Sequence, residues 1–421
     1  MLDAGRRTAV ETQAVPVASC VYPAGDGFGG IGGSSMEQER ERQIASVAAA
    51  LKKPVDEARG LPARWYADPD HFALECDRLF KRTWMAVCFS DEIAGRGDLH
   101  PARIAGVEIV VVRAADGAAR AYHNVCRHRA ARVVSEPARG QAALRCPYHW
   151  WTYGLDGALR NAPYFDGTAG CRPDDAADLG LKPVRCGEWN GIVFVNIDGA
   201  APALEDYVRP LAQRWAAFDT TNCPVFAMEQ RTIPANWKIV MEGVLEVYHE
   251  HFIHKELTLR LTAEGAKTFE DIWEGEMMGF RSVVEEDKPD HPPMALPLLP
   301  GMPCDGTAPT EIFLLFPSVT MNILDNHFVR TIWTWDGPRQ SGWKSTWQFA
   351  AGAADTDEGR ALCRGVVDFW CDVRAEDLGA VNAVQAGIES RADHAVEIRY
   401  SPFWEPILLH FHRRIATGLA A

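Results

Sequence analysis

Two short groups of thiols and imidazoles carry the most chemistry in this sequence: Cys126-Arg127-His128 and Cys146-Pro147-Tyr148-His149. They read C-x-H, a gap of 17 residues, then C-x-x-H. Each short spacing lets one tight turn present two ligands, and the gap supplies the second turn. Structural zinc takes two Cys and two His tetrahedrally. A two-iron, two-sulfide cluster can take two Cys on one iron and two His on the other. The order favours iron and sulfur, because each pair is Cys then His, whereas zinc fingers place both cysteines before both histidines. Most of the other cysteines among the 11 are expected to be buried, inert thiols. An odd count in a long chain argues against a secreted disulfide framework.

A second group runs from Asn236-Trp237-Lys238 through Glu242, Glu246, Tyr248, His249 and His254. On an ideal helix Glu246 and His249, three apart, share a face. His249 and His254 are five apart, about 140° off-register at 3.6 residues per turn, so an ideal helix splays them. A π-bulge or a helix end would bring them together. His251 lies about 200° from His249 and is expected on the surface. Two neutral imidazoles and one carboxylate on a face, with other positions open, form the donor set of mononuclear iron(II) oxygenases. The open positions admit O₂ beside a substrate.

The flanks of the first group, NVCRHRAARV and RCPYHWWTYGLDGAL, resemble the Rieske [2Fe–2S] domain of ring-hydroxylating and related oxygenases. Spacing, order, the Pro-Tyr insert and the trailing Trp-x-Tyr-x-x-Asp-Gly all agree. The second group resembles the N-W-K, E-N, D/E-x-Y-H-x₄-H signature of the catalytic domains of that family. The resemblance implies Cys126, His128, Cys146 and His149 as cluster ligands, and His249 and His254 as ligands of a mononuclear non-haem Fe(II). It places Glu246 on the carboxylate that links His149 of the partner subunit to the iron-ligating His249. The third iron ligand then comes from Asp368, Asp372, Glu376 or Asp377, and the run AEDLGAVNAVQAGIES resembles the family's carboxylate-bearing helix, which selects Asp377. Three positions depart from the family pattern. Trp150 stands where Gly is usual, Glu246 where ring dioxygenases mostly have Asp, and Gly243 where Asn is usual.

The elements that must position these residues follow from patterning. The 421 residues exceed one typical domain of roughly 100–200. Residues 1–38, with GDGFGGIGGSS, read as a flexible tail and 39–85 as a helical lead-in, MEQERERQIASVAAAL being the clearest helix. Asp68-to-Trp84 suggests a further helix, capped by Asp68 or Asp70. Residues 86–204 carry short β runs such as VEIVVV and GIVFVNI with Asp-Gly turns, and form the expected all-β Rieske domain. Residues 205–421 form the expected catalytic domain, with helix-compatible runs over 205–288 and a Pro-rich excursion over 289–309. Four strands over 311–350, turning at Asp336-Gly337 and Ser341-Gly342, and helix over the last seventy residues complete it. The class is therefore α+β: an N-terminal all-β Rieske domain, then an antiparallel-sheet-and-helix catalytic domain.

Composition narrows the setting. Apolar residues at 47% and charged residues at 24% are ordinary globular usage, which excludes a disordered or collagen-like chain. A net charge of −14 opposes nucleic acid and anionic membranes as partners. No stretch reaches the roughly 20 apolar residues of a spanning helix, and no secretory signal opens the chain, so a cytoplasmic protein is expected.

The opening LPARWYADPDHFALECDRLFKRTW and the run YHEHFIHKEL resemble most the choline, glycine betaine and carnitine branch. That branch hydroxylates carbon beside a quaternary nitrogen, with demethylation following. A quaternary ammonium favours a cage of aromatic faces, and Trp273, Trp333, Trp335, Trp343, Trp347, Trp370, Tyr400 and Trp404 are the supply. With no flavin or nicotinamide fingerprint present, the resemblance implies O₂, a small-molecule substrate, and a separate ferredoxin or NAD(P)H-dependent reductase. It also implies a homotrimer. Two rival readings stay open: aromatic ring oxygenation by the same apparatus, and a Rieske electron-transfer protein with an inactive second site.

Overall fold

A computed structural model describes residues 33–220, 222–254, 269–282, 296–304, 308–390 and 397–421. Residues 1–32 of the tail expected over 1–38, and residues 289–295 and 305–307 of the Pro-rich excursion, lie outside the described residues, while 33–38 are helical instead. The run expected to be helical near the start is α1 (Gly33–Ala50). Residues 44–421 form one compact unit.

After the end of α1 and a single helical turn over Arg64–Ala67 comes α2 (Pro69–Glu75), where Asp68 is the N-cap and accepts from the Asp70 N–H at 2.9 Å. The helix does not run on to Trp84 as expected; it loosens into a π-turn over Cys76–Phe80. A six-stranded antiparallel sheet follows, ordered β1-β9-β8-β4-β3-β2. Its strands are β1 (Met85–Phe89), β2 (Leu99–Ile104), β3 (Val107–Arg113), β4 (Ala119–His123), β8 (Pro183–Trp189) and β9 (Ile192–Asn196). A small sheet of β5 (Leu144–Arg145), β6 (Thr152–Tyr153) and β7 (Leu159–Asn161) sits between β4 and β8 in the chain.

The continuous apolar run of β3 has a physical reason. Side chains alternate between the two faces of a strand. Ile109 and Val111 join the large core of the molecule, whereas Val110 and Val112 pack with Cys126, Cys146, Trp151 and Tyr153. A strand buried on both faces has no use for polar alternation.

The second sheet is a seven-stranded antiparallel meander ordered β10-β16-β15-β14-β13-β12-β11. It comprises β10 (Val225–Ile233), β11 (Phe269–Glu274), β12 (Met277–Ser282), β13 (Glu311–Leu315), β14 (Val319–Ile323), β15 (His327–Gly337) and β16 (Gln340–Phe349). The four strands expected over 311–350 are present, but the described residues of 205–288 are not mainly helical. They hold α3 (Leu204–Arg214), β10, α4 (Trp237–Leu245), α5 (Glu250–Ile253), β11 and β12. Ser341-Gly342 is also no turn: both residues lie inside β16, where a Cβ on Gly342 would meet Thr334 Oγ1 at 2.7 Å. Two C-terminal helices, α6 (Asp357–Ser390) and α7 (Pro406–Ala420), complete the chain.

His327, at the start of β15, is 1% exposed. Its Nδ1 lies 2.7 Å from Asn326 Oδ1 and its Nε2 accepts from Trp370 Nε1 at 2.9 Å, so its partners fit the neutral ring. Burial pushes its pKa down to about 3. The unfolded imidazole takes a proton as pH drops through about 6.5, while the folded one resists. Stability from this residue is therefore complete above that pH and declines below it, by about 2 kcal/mol between pH 6.5 and 5. Urea midpoints measured at pH 7 and pH 5 should differ less in His327→Gln than in the parent protein. An unchanged difference would remove His327 from this account.

Candidate active site

The two Cys-His groups sit on loops of the same construction. In the first, the Cys126 N–H donates to Ala131 O and the Ala130 N–H to Cys126 O; Ala130 has φ +55°. In the second, the Cys146 N–H donates to Trp151 O and the Trp150 N–H to Cys146 O; Trp150 has φ +60°. Each loop therefore turns through a left-handed residue four places after its cysteine, a conformation that favours glycine. That explains why Gly is usual at position 150. Here Trp150 adopts it while exposed, with the Arg145 guanidinium 5.1 Å over its ring.

The loops converge. Cys126 and Cys146 are buried, and the His128 and His149 rings lie 4.6 Å apart. Trp151 stacks on His128 at 5.0 Å and 8°. The Tyr153 hydroxyl accepts from the Arg127 N–H at 3.0 Å, which leaves its proton for Cys126 Sγ, 3.2 Å away. The trailing Trp-x-Tyr thus braces one histidine and one thiol. Burial raises the Cys146 thiol, opposed by the N–H groups of Tyr148 and His149 that point at the sulfur. His128 Nδ1 is buried without a hydrogen-bond partner. A buried imidazole nitrogen is rarely left so, and an orphaned nitrogen beside two buried thiols fits a two-iron cluster ligated by Cys and His.

The second group is built around a broken helix. Asn236 caps α4 by accepting from the Lys238 N–H at 3.0 Å. Trp237 Nε1 and Lys238 Nζ donate to the two oxygens of Glu75, and all three side chains are fully buried. The N-W-K run therefore anchors the start of α4. The helix stops at Leu245, and Glu246 is extended, at φ −104° and ψ 145°. Glu246 and His249 do not share a helical face as the ideal spacing suggested. They meet because the chain turns there, and the Glu246 carboxylate accepts from the N–H groups of Tyr248 and His249. His249 and His254 then bracket the single turn α5, which brings their rings to 5.2 Å. A helix end, not a π-bulge, joins them. His251 packs 5.0 Å from Trp404 and takes no part in the cluster of ligand atoms.

Asp377, on α6, completes the group. Its Oδ1 lies 2.9 Å from His254 Nε2 and 3.5 Å from His249 Nε2, and one donor atom from each residue falls within 4.8 Å of the others. The opposite ring nitrogens are held by carboxylates: His249 Nδ1 by Glu246 at 2.6 Å, and His254 Nδ1 by Glu376 at 2.9 Å. Carboxylates on the far nitrogen fix ring orientation and raise donor strength. Glu376 therefore sits behind the His254 ring, on the nitrogen opposite the one that faces Asp377, a placement its sequence position did not reveal. Burial alone would lower His249, but Asp377 and Glu246 outweigh it and push its pKa up to about 10. His254 is raised against burial by Asp377 and Glu376, and Asp377 is lowered against burial by both histidines. Two proton-loving imidazoles facing one carboxylate form a site where a divalent cation can replace the protons, and the donor set fits iron.

The group opens onto a cavity of about 690 Å³. Trp333, Trp343, Trp370 and Tyr400 line it; Trp273, Trp335, Trp347 and Trp404, the other cage candidates, do not. Gly243 lines it too, and a Cβ there would meet nothing within 4 Å, so the missing Asn side chain leaves open space.

A β domain with Cys-His loops, followed by a domain that gathers two imidazoles and a carboxylate at a cavity, is the pairing that defines Rieske non-haem iron oxygenases. Residues 83–172 match the Rieske [2Fe-2S] domain family. Residues 211–421 match the Ring hydroxylating alpha subunit (catalytic domain) family, and the chain belongs to it. Its cofactors are accordingly a Rieske [2Fe–2S] cluster and mononuclear non-haem iron. The glycine betaine monooxygenase oxygenase subunit of Chromohalobacter salexigens is 38% identical over 197 residues, 47% of this chain and 43% of that one. The match thus spans less than half the length of that relative. The carnitine monooxygenase oxygenase subunit of Escherichia coli K12 is 29% identical over 374 residues, 86% of this chain and 94% of that one. Among solved structures, the quaternary ammonium Rieske monooxygenase CntA in complex with L-carnitine shares the fold, with TM-score 0.72, 22% identity, and coverage of 88% and 98%. Naphthalene 1,2-dioxygenase from Rhodococcus sp. does too, with TM-score 0.70, 20% identity, and coverage of 90% and 97%.

Proposed function

We propose that this chain is the oxygenase subunit of a monooxygenase acting on a small quaternary ammonium compound. The observation that carries the reading is the convergence of His249, His254 and Asp377 on a cavity, in a chain that also holds a complete Cys-His loop pair. An electron-transfer protein with an inactive second site has no use for that intact donor set. The names of the relatives supply the substrate class. An aromatic ring substrate is the second reading, favoured by the shared fold with naphthalene dioxygenase.

In this reading Cys126, His128, Cys146 and His149 hold the cluster, and His249, His254 and Asp377 hold the iron. When bound, the cluster relays single electrons and the iron supplies the position at which O₂ is activated. The protein's own contribution is orientation and exclusion. Glu246 and Glu376 lock the two imidazoles from behind, and the largely apolar cavity wall keeps bulk water from the reacting carbon. The net reaction takes one C–H bond, O₂, two electrons and two protons to a C–OH group and water. At an N-methyl carbon the product then loses formaldehyde.

A separate ferredoxin or NAD(P)H-dependent reductase supplies the electrons, and the working form is a homotrimer in the cytoplasm. Two exposed aromatic surfaces support the trimer: Tyr148, Trp150, Tyr164 and Phe165 beside the Cys-His loops, and Tyr248 and Phe252 beside Glu246. Their apposition would bring His149 of the partner subunit to Glu246. Among the described residues no helix is long and apolar enough to cross a membrane.

The test is a single turnover of the reduced, iron-loaded protein with O₂, analysed by mass spectrometry and a formaldehyde assay. Glycine betaine, carnitine, choline and simple aromatic acids make the panel. Formaldehyde or a hydroxylated ammonium product is expected. A cis-diol or phenol would move the protein to the ring-oxygenase reading with the same metal ligands.

A further inference from the structure

The aromatic surface best placed to cage a cation is already taken. The Arg374 guanidinium stacks over Trp343 at 4.5 Å and Trp347 at 5.5 Å. Its Nη1 donates to Ser345 Oγ at 2.8 Å and its Nη2 to Thr331 Oγ1 at 3.2 Å. These contacts hold the side chain against the sheet while it lines the cavity, one turn of α6 before Asp377. A guanidinium has five N–H donors, and only two are used here. Among the described residues no carboxylate lies within ion-pairing distance of it. Burial lowers its pKa, to about 10, against the pull of Cys371 and Asp377. A partly buried cation without a counter-ion is costly unless a ligand supplies one.

The opposite charge also lines the cavity. Glu242 Oε1 accepts from the Tyr66 hydroxyl at 2.6 Å and lies 2.9 Å from His412 Nε2. Tyr400, kept un-ionised by burial and by Glu242, donates to His412 Nδ1 at 2.5 Å, which fixes the ring proton on Nε2, facing Glu242. Both donors are spent on Oε1, so the carboxylate is braced from behind with Oε2 left for a ligand.

We propose that Arg374 binds the carboxylate of a zwitterionic substrate and Glu242 balances its ammonium group, so that the cavity selects betaines over cations that lack a carboxylate. The assignment rests on the quaternary ammonium reading above and narrows it. It inverts the cage expectation: the tryptophans hold the protein's own cation, which in turn holds the anionic end of the substrate. A guanidinium suits this because its planar fork pairs with both carboxylate oxygens.

The test is calorimetric binding to the oxidised, metal-loaded protein under anaerobic conditions, where no turnover occurs. Glycine betaine and choline share the trimethylammonium group and differ in carboxylate against hydroxymethyl. The parent protein should bind glycine betaine at least about tenfold tighter than choline, the scale of one charge-assisted hydrogen-bonded pair. This ligand-side comparison needs no variant, and equal binding overturns the proposal. Arg374→Gln should erase the preference and leave choline binding within about threefold, while Arg374→Lys keeps part of it. Glu242→Gln should weaken both ligands in parallel. Arg399→Gln, an exposed cation on the same cavity, should leave the preference intact; its loss there would move the anchor to Arg399 and overturn the assignment. The visible cluster spectrum and the unfolding midpoint report whether each variant is folded. A benzoate arm separates the two readings. If benzoate binds in an Arg374-dependent way and neither ammonium compound binds, the anion anchor stands and the quaternary ammonium class falls. If nothing binds, both fall.

Discussion

Asp377→Ala is expected to cut the iron content from about three to about two per chain while leaving the visible cluster spectrum unchanged. Among the described residues Asp377 is the carboxylate placed against the Nε2 atoms of both His249 and His254. Without it, two neutral imidazoles remain to hold a divalent cation, and the charge that favours the metal is lost. Glu376 cannot substitute in place, because it is engaged on Nδ1 of His254, behind the site. Turnover should fall by more than the roughly 10–100-fold typical of losing an orienting partner. Metal analysis beside the cluster absorbance decides the matter. Full retention of iron would transfer the ligand role to a neighbouring acid.

Glu246→Ala separates differently: both metals stay bound, yet product formed per cluster oxidised drops, by about 10- to 100-fold. The carboxylate takes His249 Nδ1 on one oxygen and two backbone N–H groups on the other, so its place is fixed by the chain turn itself. Removing it leaves the Nε2 face intact, which is why metal loss is not the expected phenotype. Glu246→Gln adds a discriminating arm, since an amide keeps the size but not the charge. Stopped-flow loss of the reduced-cluster signal, set against product in the same sample, is the measurement. Normal coupling in Glu246→Ala would end the bridging assignment.

The parts of this molecule that could be read from sequence are those whose determinants are local. The Cys-His loops are local in this sense, because two thiols and two imidazoles arrive on two tight turns whose spacing is written in the chain. The strands over 311–350 were readable because burial on both faces leaves near-continuous apolar runs. The edge strands β10 and β11 were not: VFAMEQRTI and FEDIWE carry charges on a face that meets solvent, and their polarity hides the strand. Ser341-Gly342 misled for another reason, since a Gly that permits close approach to Thr334 has the same composition as a Gly in a turn. In the second site, the two histidines were visible but their meeting depends on where α4 ends. Asp377 needed the resemblance. Glu376, His412 and Arg374 could not be assigned roles in advance, because their partners lie 122, 170 and 29 to 43 residues away.

Arg374 and Asp377 ride on one unbroken helix of 34 residues. Three residues of helix advance about 4.5 Å, an interval set by backbone hydrogen bonds and indifferent to how the loops around it vary. On the proposed assignments the helix works as a ruler, with its zero at the guanidinium and its mark at the Asp377 carboxylate. Which carbon of a bound betaine is presented for reaction becomes a matter of counting methylenes from the anchored end. Tolerance for longer or shorter homologues should then be inherited with α6 rather than with the cavity's rim.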